Sequence, residues 1–371
     1  MRRISGRLIQ LAAGGVVLLM LAQLALAIPA AAEGDYIIQN FQFTSGETLP
    51  ELRIHYRTLG KPVRDSSGVV RNAVLIGHGT GGTGEPFLRP QFADELFAPG
   101  QPLDAAKYFI VLPDGIGHGK SSKPSDGLHA HFPHYGYTDM VTASFRLLTE
   151  GLGVNHLRLV MGTSMGGMQT WVWGEQHPEF MDALMPLASL PTQVAGRNRV
   201  WRLTIMEAIR NDPDWHGGDY KTQPPSLRTA AAMLWLVSSN PVIRQQEAPT
   251  LVQADRLIDA YVADYVKTAD ANDLIYQLDA SHDYDPGPGL EKIRAPLLAV
   301  NSADDLINPP ELGILEREIK RVPHGRAIVI PYSDQTRGHQ SHSYPALWKS
   351  DLVNLLRESD TPHHMGSKIR Q

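Results

Sequence analysis

No cysteine occurs anywhere in the 371 residues. That absence excludes a disulfide-stapled fold, a thiolate metal site and an enzyme with a cysteine nucleophile. It also excludes a lipoprotein anchor, which is built on a cysteine at the cleavage site. Excess positive charge is missing too: the formal net charge is −5, which leaves no electrostatic footprint for nucleic acid. Neither the dinucleotide-binding glycine fingerprint nor the phosphate-loop fingerprint is present, so no cofactor is expected. What remains, 42% hydrophobic and 20% charged residues, is the make-up of an ordinary globular chain. Its length suits one large domain carrying an insertion.

Long charge-free apolar runs are also scarce, and the longest, Leu8 to Ala27, follows Arg2, Arg3 and Arg7. Ala30-Ala31-Ala32 then places small residues just before Glu33. A basic start, an apolar run and an A-x-A site make a cleaved export signal over residues 1–32, with a cut after Ala27 as the alternative. The expected location is periplasmic or secreted, with no stable membrane insertion once the signal is removed.

Beyond residue 33 the chain alternates short apolar strands with helical spacing. Ile37–Phe43 and Leu52–Tyr56 read as a hairpin. Ala73–Ile76, Tyr108–Leu112, Leu157–Met161, Ala183–Leu187, Pro296–Val300 and Arg326–Ile330 read as buried strands. Asp139–Gly151, Met165–His177 and Tyr344–Arg357 have helical patterning. Residues 190–290 differ, being rich in Trp, Arg and Ala with no buried-strand run. This gives a core in two parts, 33–189 and 291–358, a helical cap at 190–290, and a flexible tail at 359–371. The expected fold is α/β: a mostly parallel sheet flanked by helices, with the cap over the strands' C-terminal ends, where such sheets bind ligands.

Strand Leu157–Met161 runs directly into Gly162-Thr163-Ser164-Met165-Gly166-Gly167, and a helix follows. G-x-S-x-G at a strand-to-helix junction is the nucleophile elbow of the α/β-hydrolase fold. A serine hydroxyl needs a histidine base held by a carboxylate, and in this fold the chain order is Ser, acid, His. Asp305, at the end of strand Pro296–Val300, is the expected acid, with Asp304 beside it as the alternative. His339, after the last strand, is the expected base, with His342 as its rival. The oxyanion hole is expected from the backbone amides of Met165 and of Thr80, the latter in the His78-Gly79-Thr80-Gly81-Gly82 loop. The partner is a small-molecule acyl substrate, and a homodimer is compatible with the fold.

These residues resemble the homoserine O-acetyltransferase branch of the α/β-hydrolases. The likeness runs from Ser45-Gly46-Glu47-Thr48-Leu49 through Gly162–Gln169, Asn211-Asp212-Pro213-Asp214-Trp215 and Gly217-Gly218-Asp219-Tyr220 to Asp305 and Gly338-His339. It implies a Ser–His–Asp acyl-enzyme mechanism beneath a helical cap. One departure bears on the substrate. The resemblance implies an arginine before a Gln-Ala-Ile segment to hold the acceptor's carboxylate, and here Met206 occupies that place. Arg202 and Arg210 lie nearby but are expected to point elsewhere. An exported enzyme also meets water rather than acyl-CoA. The sequence therefore reads first as an exported serine hydrolase of an ester or related acyl bond. An acyltransferase of the homoserine O-acetyltransferase type is the alternative, and a non-catalytic binding protein on the same fold is a third reading.

His129, His131 and His134 form a short cluster that lacks the spacing of a metal motif, so no metal is expected. Trp171 and Trp173 read as helix packing. Trp201, Trp215 and Trp235 in the cap are candidates to line a pocket.

Overall fold

The computed structural model describes residues 28–360. Most of the stretch read as an export signal, up to residue 27, and most of the expected tail, from residue 361, lie outside them. Eight strands form one sheet in the order β1-β2-β4-β3-β5-β6-β7-β8. They are β1 (Ala32–Gln42), β2 (Thr48–Leu59), β3 (Ala73–Gly77), β4 (Phe109–Pro113), β5 (Leu159–Thr163), β6 (Leu184–Leu187), β7 (Leu297–Ser302) and β8 (Gly325–Ile330). The β1–β2 and β2–β4 pairings are antiparallel and the other five are parallel. The hairpin is longer than its apolar residues suggested, because polar positions such as Glu33 and Arg57 pair across it as well.

Side chains of a strand alternate between faces, and here both faces are covered. In β3, Val74 and Ile76 enter one core layer while Ala73 and Leu75 enter the other. The same division separates Ile110 and Leu112 from Phe109 and Val111 in β4. One face is covered by α1 (Pro90–Leu96) and by the C-terminal helix, which supply Phe92 and Leu352, with Trp348 just ahead of that helix. The other is covered by α2 (Tyr137–Arg146) and the elbow helix α3 (Met165–Gln176), with Met140, Trp171 and Trp173 inside.

Residues 190–290 contribute five α-helices and no strand: α4 (Gly196–Arg210), α5 (Ser226–Ser238), α6 (Pro241–Glu247), α7 (Leu251–Tyr265) and α8 (Ala271–Asp279). The chain returns to the sheet through β7, the short α9 (Ile314–Glu318), β8 and finally α10 (Lys349–Ser359). Two helix starts differ from the sequence reading. The last helix begins at Lys349 rather than Tyr344, because Pro345 bars Tyr344 from helical backbone and Pro345–Leu347 forms a separate tight turn. The helix after Gly136 begins at Tyr137, two residues early, since the Asp139 side chain caps its first turn. No helix among the described residues is long and apolar enough to cross a membrane.

Candidate active site

The elbow is visible in the backbone. Ser164 has φ 54° and ψ −109°, a conformation that L-residues adopt only under constraint. Its neighbours supply that constraint: the Ser164 amide donates to the Leu187 carbonyl at 2.9 Å, and the Gly166 amide donates to the His78 carbonyl at 2.9 Å. A Cβ on Gly162 would collide with the backbone of Gly166, and one on Gly166 with the backbone of Gly77. Both glycines are therefore required by close approach, and the serine is thrust out where β5 becomes α3.

Ser164 Oγ lies 2.8 Å from His339 Nε2, and His339 Nδ1 lies 2.9 Å from Asp305 Oδ2. A carboxylate can only accept, so Nδ1 carries the proton and Nε2 is free to accept from the serine hydroxyl. Asp305 is itself fixed, its Oδ1 accepting from the amides of Ile307 at 2.8 Å and Asn308 at 3.0 Å. Burial alone would push the Asp305 carboxyl up, but His339 and those two amides hold it below the usual carboxylate range.

The rivals do other work. Asp304 Oδ2 accepts from the Gly338 amide at 2.9 Å and from the Asn240 side chain, tying the histidine loop to the cap. His342 is stacked edge-on to His339 at 5.2 Å between ring centres, and its Nδ1 meets Ser343 Oγ at 2.9 Å. Burial, with the neighbouring His339, lowers His342 to about 3, so it stays neutral.

Above Ser164 a cavity of about 320 Å³ is lined by Thr80, His339 and His342 from the core and by Trp201, Leu234 and Tyr261 from the cap. Met165 is the first residue of α3, so its amide has no acceptor within the helix. Thr80 belongs to the loop that passes over the serine, where a Cβ on Gly79 would stand 3.4 Å from Ser164 Cβ. His78 braces this loop: its Nδ1 donates to the Gly79 carbonyl at 2.8 Å while its Nε2 accepts from the Gly115 amide at 2.9 Å. The sequence reading had not singled out that brace.

The sequence reading also misplaced an arginine. Arg202 lines this same cavity. It lies four residues before Met206 on α4, and a shift of four keeps a residue on the same helical face. Met206 is buried in the core, and Arg202, 2% exposed, stands one turn away and reaches the cavity. Its Nε donates to Asn198 Oδ1 at 3.0 Å and its Nη1 more weakly to the Leu278 carbonyl at 3.4 Å. Its neighbour Arg199 faces Asp279 at 3.9 Å, but among the described residues no carboxylate pairs with Arg202. Burial draws the guanidinium's pKa below its ordinary value, yet an arginine remains charged at neutral pH. Thr80 Oγ1, Tyr137 Oη and Trp201 Nε1 are buried without a hydrogen-bond partner. Among the described residues no Asp or Glu lines the cavity.

Of the three cap tryptophans, only Trp201 lines the cavity. Trp215 donates to Asn272 Oδ1, and Trp235 carries the Arg244 guanidinium on its face. Trp171 and Trp173 are packed in the core. In the histidine cluster, His134 is engaged with Glu47, and His129–His131 form a single turn packed against the cap.

Residues 72–339 match the family described as alpha/beta hydrolase fold. A probable acyltransferase of Methanothermobacter thermautotrophicus is 32% identical over 320 residues, covering 86% of this chain and 96% of that protein. A homoserine O-acetyltransferase of Trichormus variabilis is 30% identical over 298 residues, covering 73% and 79%. This chain belongs to the homoserine O-acetyltransferase-like branch of the α/β-hydrolase family. The fold alone does not divide transferases from hydrolases: esterase E22 superposes with a TM-score of 0.77 at 17% identity, covering 88% of this chain and 100% of its own. The relatives support acyl-transfer chemistry in general, and they favour the transferase reading over the hydrolase reading that came first from the sequence.

Proposed function

We propose that the chain is an acyltransferase that loads an acyl group onto Ser164 and delivers it to the hydroxyl of a carboxylate-bearing acceptor. The observation that carries this is Arg202, a buried guanidinium with no carboxylate partner among the described residues, in the cavity that holds Ser164. A buried charge left unpaired is costly, and a substrate carboxylate is the group that would relieve it. Two curated relatives named as acyltransferases point the same way.

The proposed steps use the contacts around Ser164. His339 takes the proton from Ser164 as Oγ attacks the acyl carbonyl, and the amides of Met165 and Thr80 receive the developing oxyanion. His339 then returns the proton to the departing alkoxide or thiolate, leaving the acyl group on Ser164. In the second half the acceptor hydroxyl gives its proton to His339, attacks the acyl-serine, and frees Ser164. Arg202 holds the acceptor's carboxylate so that its hydroxyl competes with water. With no acidic side chain lining the cavity, an α-ammonium finds no counter-charge there, so hydroxy acids suit the site better than amino acids.

A second reading rests on the N-terminal pattern. Residues 1–32 read as an export signal, and outside the cytosol water replaces the alcohol, giving ester hydrolysis. Product partitioning separates the two. The purified protein is given an activated acyl ester with millimolar 4-hydroxybutyrate, homoserine or butanol. The transferase reading expects O-acyl-4-hydroxybutyrate as the main product, less O-acylhomoserine, and little butyl ester. Free acid alone in all three reactions would overturn it in favour of hydrolysis.

A further inference from the structure

The segments that follow β6 and β7 part from each other, and a cleft of about 400 Å³ is lined by both. Ala188, just past β6, has φ 50°, a conformation that an alanine holds only under constraint and that turns the chain away from the sheet. Asn308, just past β7, supplies that constraint: its Nδ2 donates to the Ala188 carbonyl at 2.8 Å. Met168 of the elbow helix α3 completes the lining from the core, and the exposed residues Ala195, Gly196 and Leu312 stand where the cleft opens to solvent.

The character of the wall follows from its hydrogen bonds. Tyr284 Oη donates to the Leu190 carbonyl at 2.8 Å, Gln193 Nε2 to Asp285 at 2.9 Å, and Arg197 Nη1 to the Leu306 carbonyl at 2.6 Å. These polar groups are engaged with the protein itself. Among the described residues no Asp or Glu lines the cleft. An occupant therefore meets chiefly Met168, Leu190, Val194, Ile307, Leu312 and Ile314. Leu312 is 53% exposed, so this apolar surface is not covered by the chain itself.

The cleft is joined to the active site. Ile307 lines both it and the cavity above Ser164. The Ile307 amide is committed to Asp305, so the side chain is the part that can give way between the two spaces. Met168 stands one helical turn beyond Ser164, about 6 Å along the axis of α3. An acetyl group on the serine ends short of that distance, whereas a chain of about six to eight carbons reaches it. At roughly 30 Å³ for a group the size of a water molecule, the cleft has room for such a chain.

We propose that this cleft receives the tail of the acyl group carried by Ser164, so that the group transferred is a medium-chain fatty acyl group rather than acetyl. The assignment rests on the acyl-enzyme reading for Ser164 and leaves its steps unchanged. Arg202 selects the acceptor by charge, and the cleft selects the acyl group by length.

The test compares 4-nitrophenyl acetate with 4-nitrophenyl octanoate, which share a leaving group and differ only in the chain. Each methylene buried is worth about fourfold in binding, so the wild-type chain is expected to favour octanoate by about 10-fold or more in kcat/KM. Val194→Trp fills the cleft and Leu312→Asp places a charge on its wall. Each should lower the octanoate-to-acetate ratio about 10-fold while acetate turnover stays as it was. Leu312 is exposed, so that variant folds even where the tryptophan is not tolerated. A preference for acetate, or an octanoate preference that neither variant lowers, would overturn the cleft, while acetate turnover that still requires Ser164 would leave the acyl-enzyme reading standing. Calorimetry on the Ser164→Ala protein reads the cleft with catalysis removed. Octanamide is expected to bind and acetamide not to, with octanamide weakened about 10-fold by Leu312→Asp. No octanamide binding, or binding that the variant does not weaken, would contradict the proposal whatever the fate of the acyl-enzyme reading.

Discussion

Replacing Arg202 with methionine removes the one permanent positive charge from the lining of the catalytic cavity and leaves a flexible apolar side chain of similar reach. In the folded protein Arg202 loses two hydrogen bonds, to Asn198 and to the Leu278 carbonyl, the second long at 3.4 Å. The variant also escapes the cost of burying an unpaired guanidinium, so thermal stability is expected to change little. The effect belongs to the bound state. A charge-assisted pair in an enclosed site contributes about 2–5 kcal/mol, or roughly 30-fold to several-thousand-fold in affinity. Acylation of Ser164 by a neutral ester does not use that pair, so its rate should be preserved. The assay is the ratio of O-acyl-4-hydroxybutyrate to free acid, measured by mass spectrometry across acceptor concentrations. The variant should need at least about 30-fold more acceptor to reach the wild-type ratio. An unchanged ratio in a folded variant with normal acylation would refute the role of Arg202 as the carboxylate partner.

Other expected outcomes concern the triad, acid stability and the N-terminus. Ser164→Ala, His339→Ala and Asp305→Asn should each lower kcat on a simple ester by ~10³-fold or more while His342→Ala costs far less; loss of activity in His342→Ala with His339→Ala active would reverse the base assignment. His118 and His342 are held near a pKa of about 3 by burial, against an ordinary 6.5. Between those values the unfolded chain binds the extra protons, so stability is complete above about pH 6.5 and falls with acidification by about 1.4 kcal/mol per pH unit for each. His342→Gln should make denaturant midpoints measured from pH 7 to 5 fall less steeply, and an unchanged slope would contradict the buried neutral state. Export should leave a mature N-terminus at Ile28 or Glu33, read by mass spectrometry of periplasmic protein. Because Ile28 and Ala31 pack against the core, the cut after Ala27 is the better fit, and a chain that still begins at Met1 would count against export altogether.

The elbow was legible because its chemistry is local. Gly162, Ser164 and Gly166 must be adjacent to make the turn, and a buried strand must precede them. Asp305 and His339 could be placed by chain order, but choosing them over Asp304 and His342 depends on which side chain meets which. Those choices are fixed by contacts such as Asn240 with Asp304, between segments far apart in sequence. Arg202 was the instructive miss. Its offset of four from Met206 is a full helical turn, and that spacing alone could have kept it on the cavity face. His78 and Tyr137 come from separate elements, and no local pattern joins them. The helix start at Lys349 was signalled by Pro345, which the periodic apolar residues around it obscured.

The most direct test of the central claim is intact-protein mass spectrometry after brief mixing with an activated acyl ester, followed by addition of 4-hydroxybutyrate. The expected result is one acyl mass added to the wild-type chain, mapped to Ser164 and absent from Ser164→Ala. The adduct should then disappear as O-acyl-4-hydroxybutyrate accumulates. An adduct on any other residue, turnover without Ser164, or an adduct that decays only to free acid whatever the acceptor would contradict it.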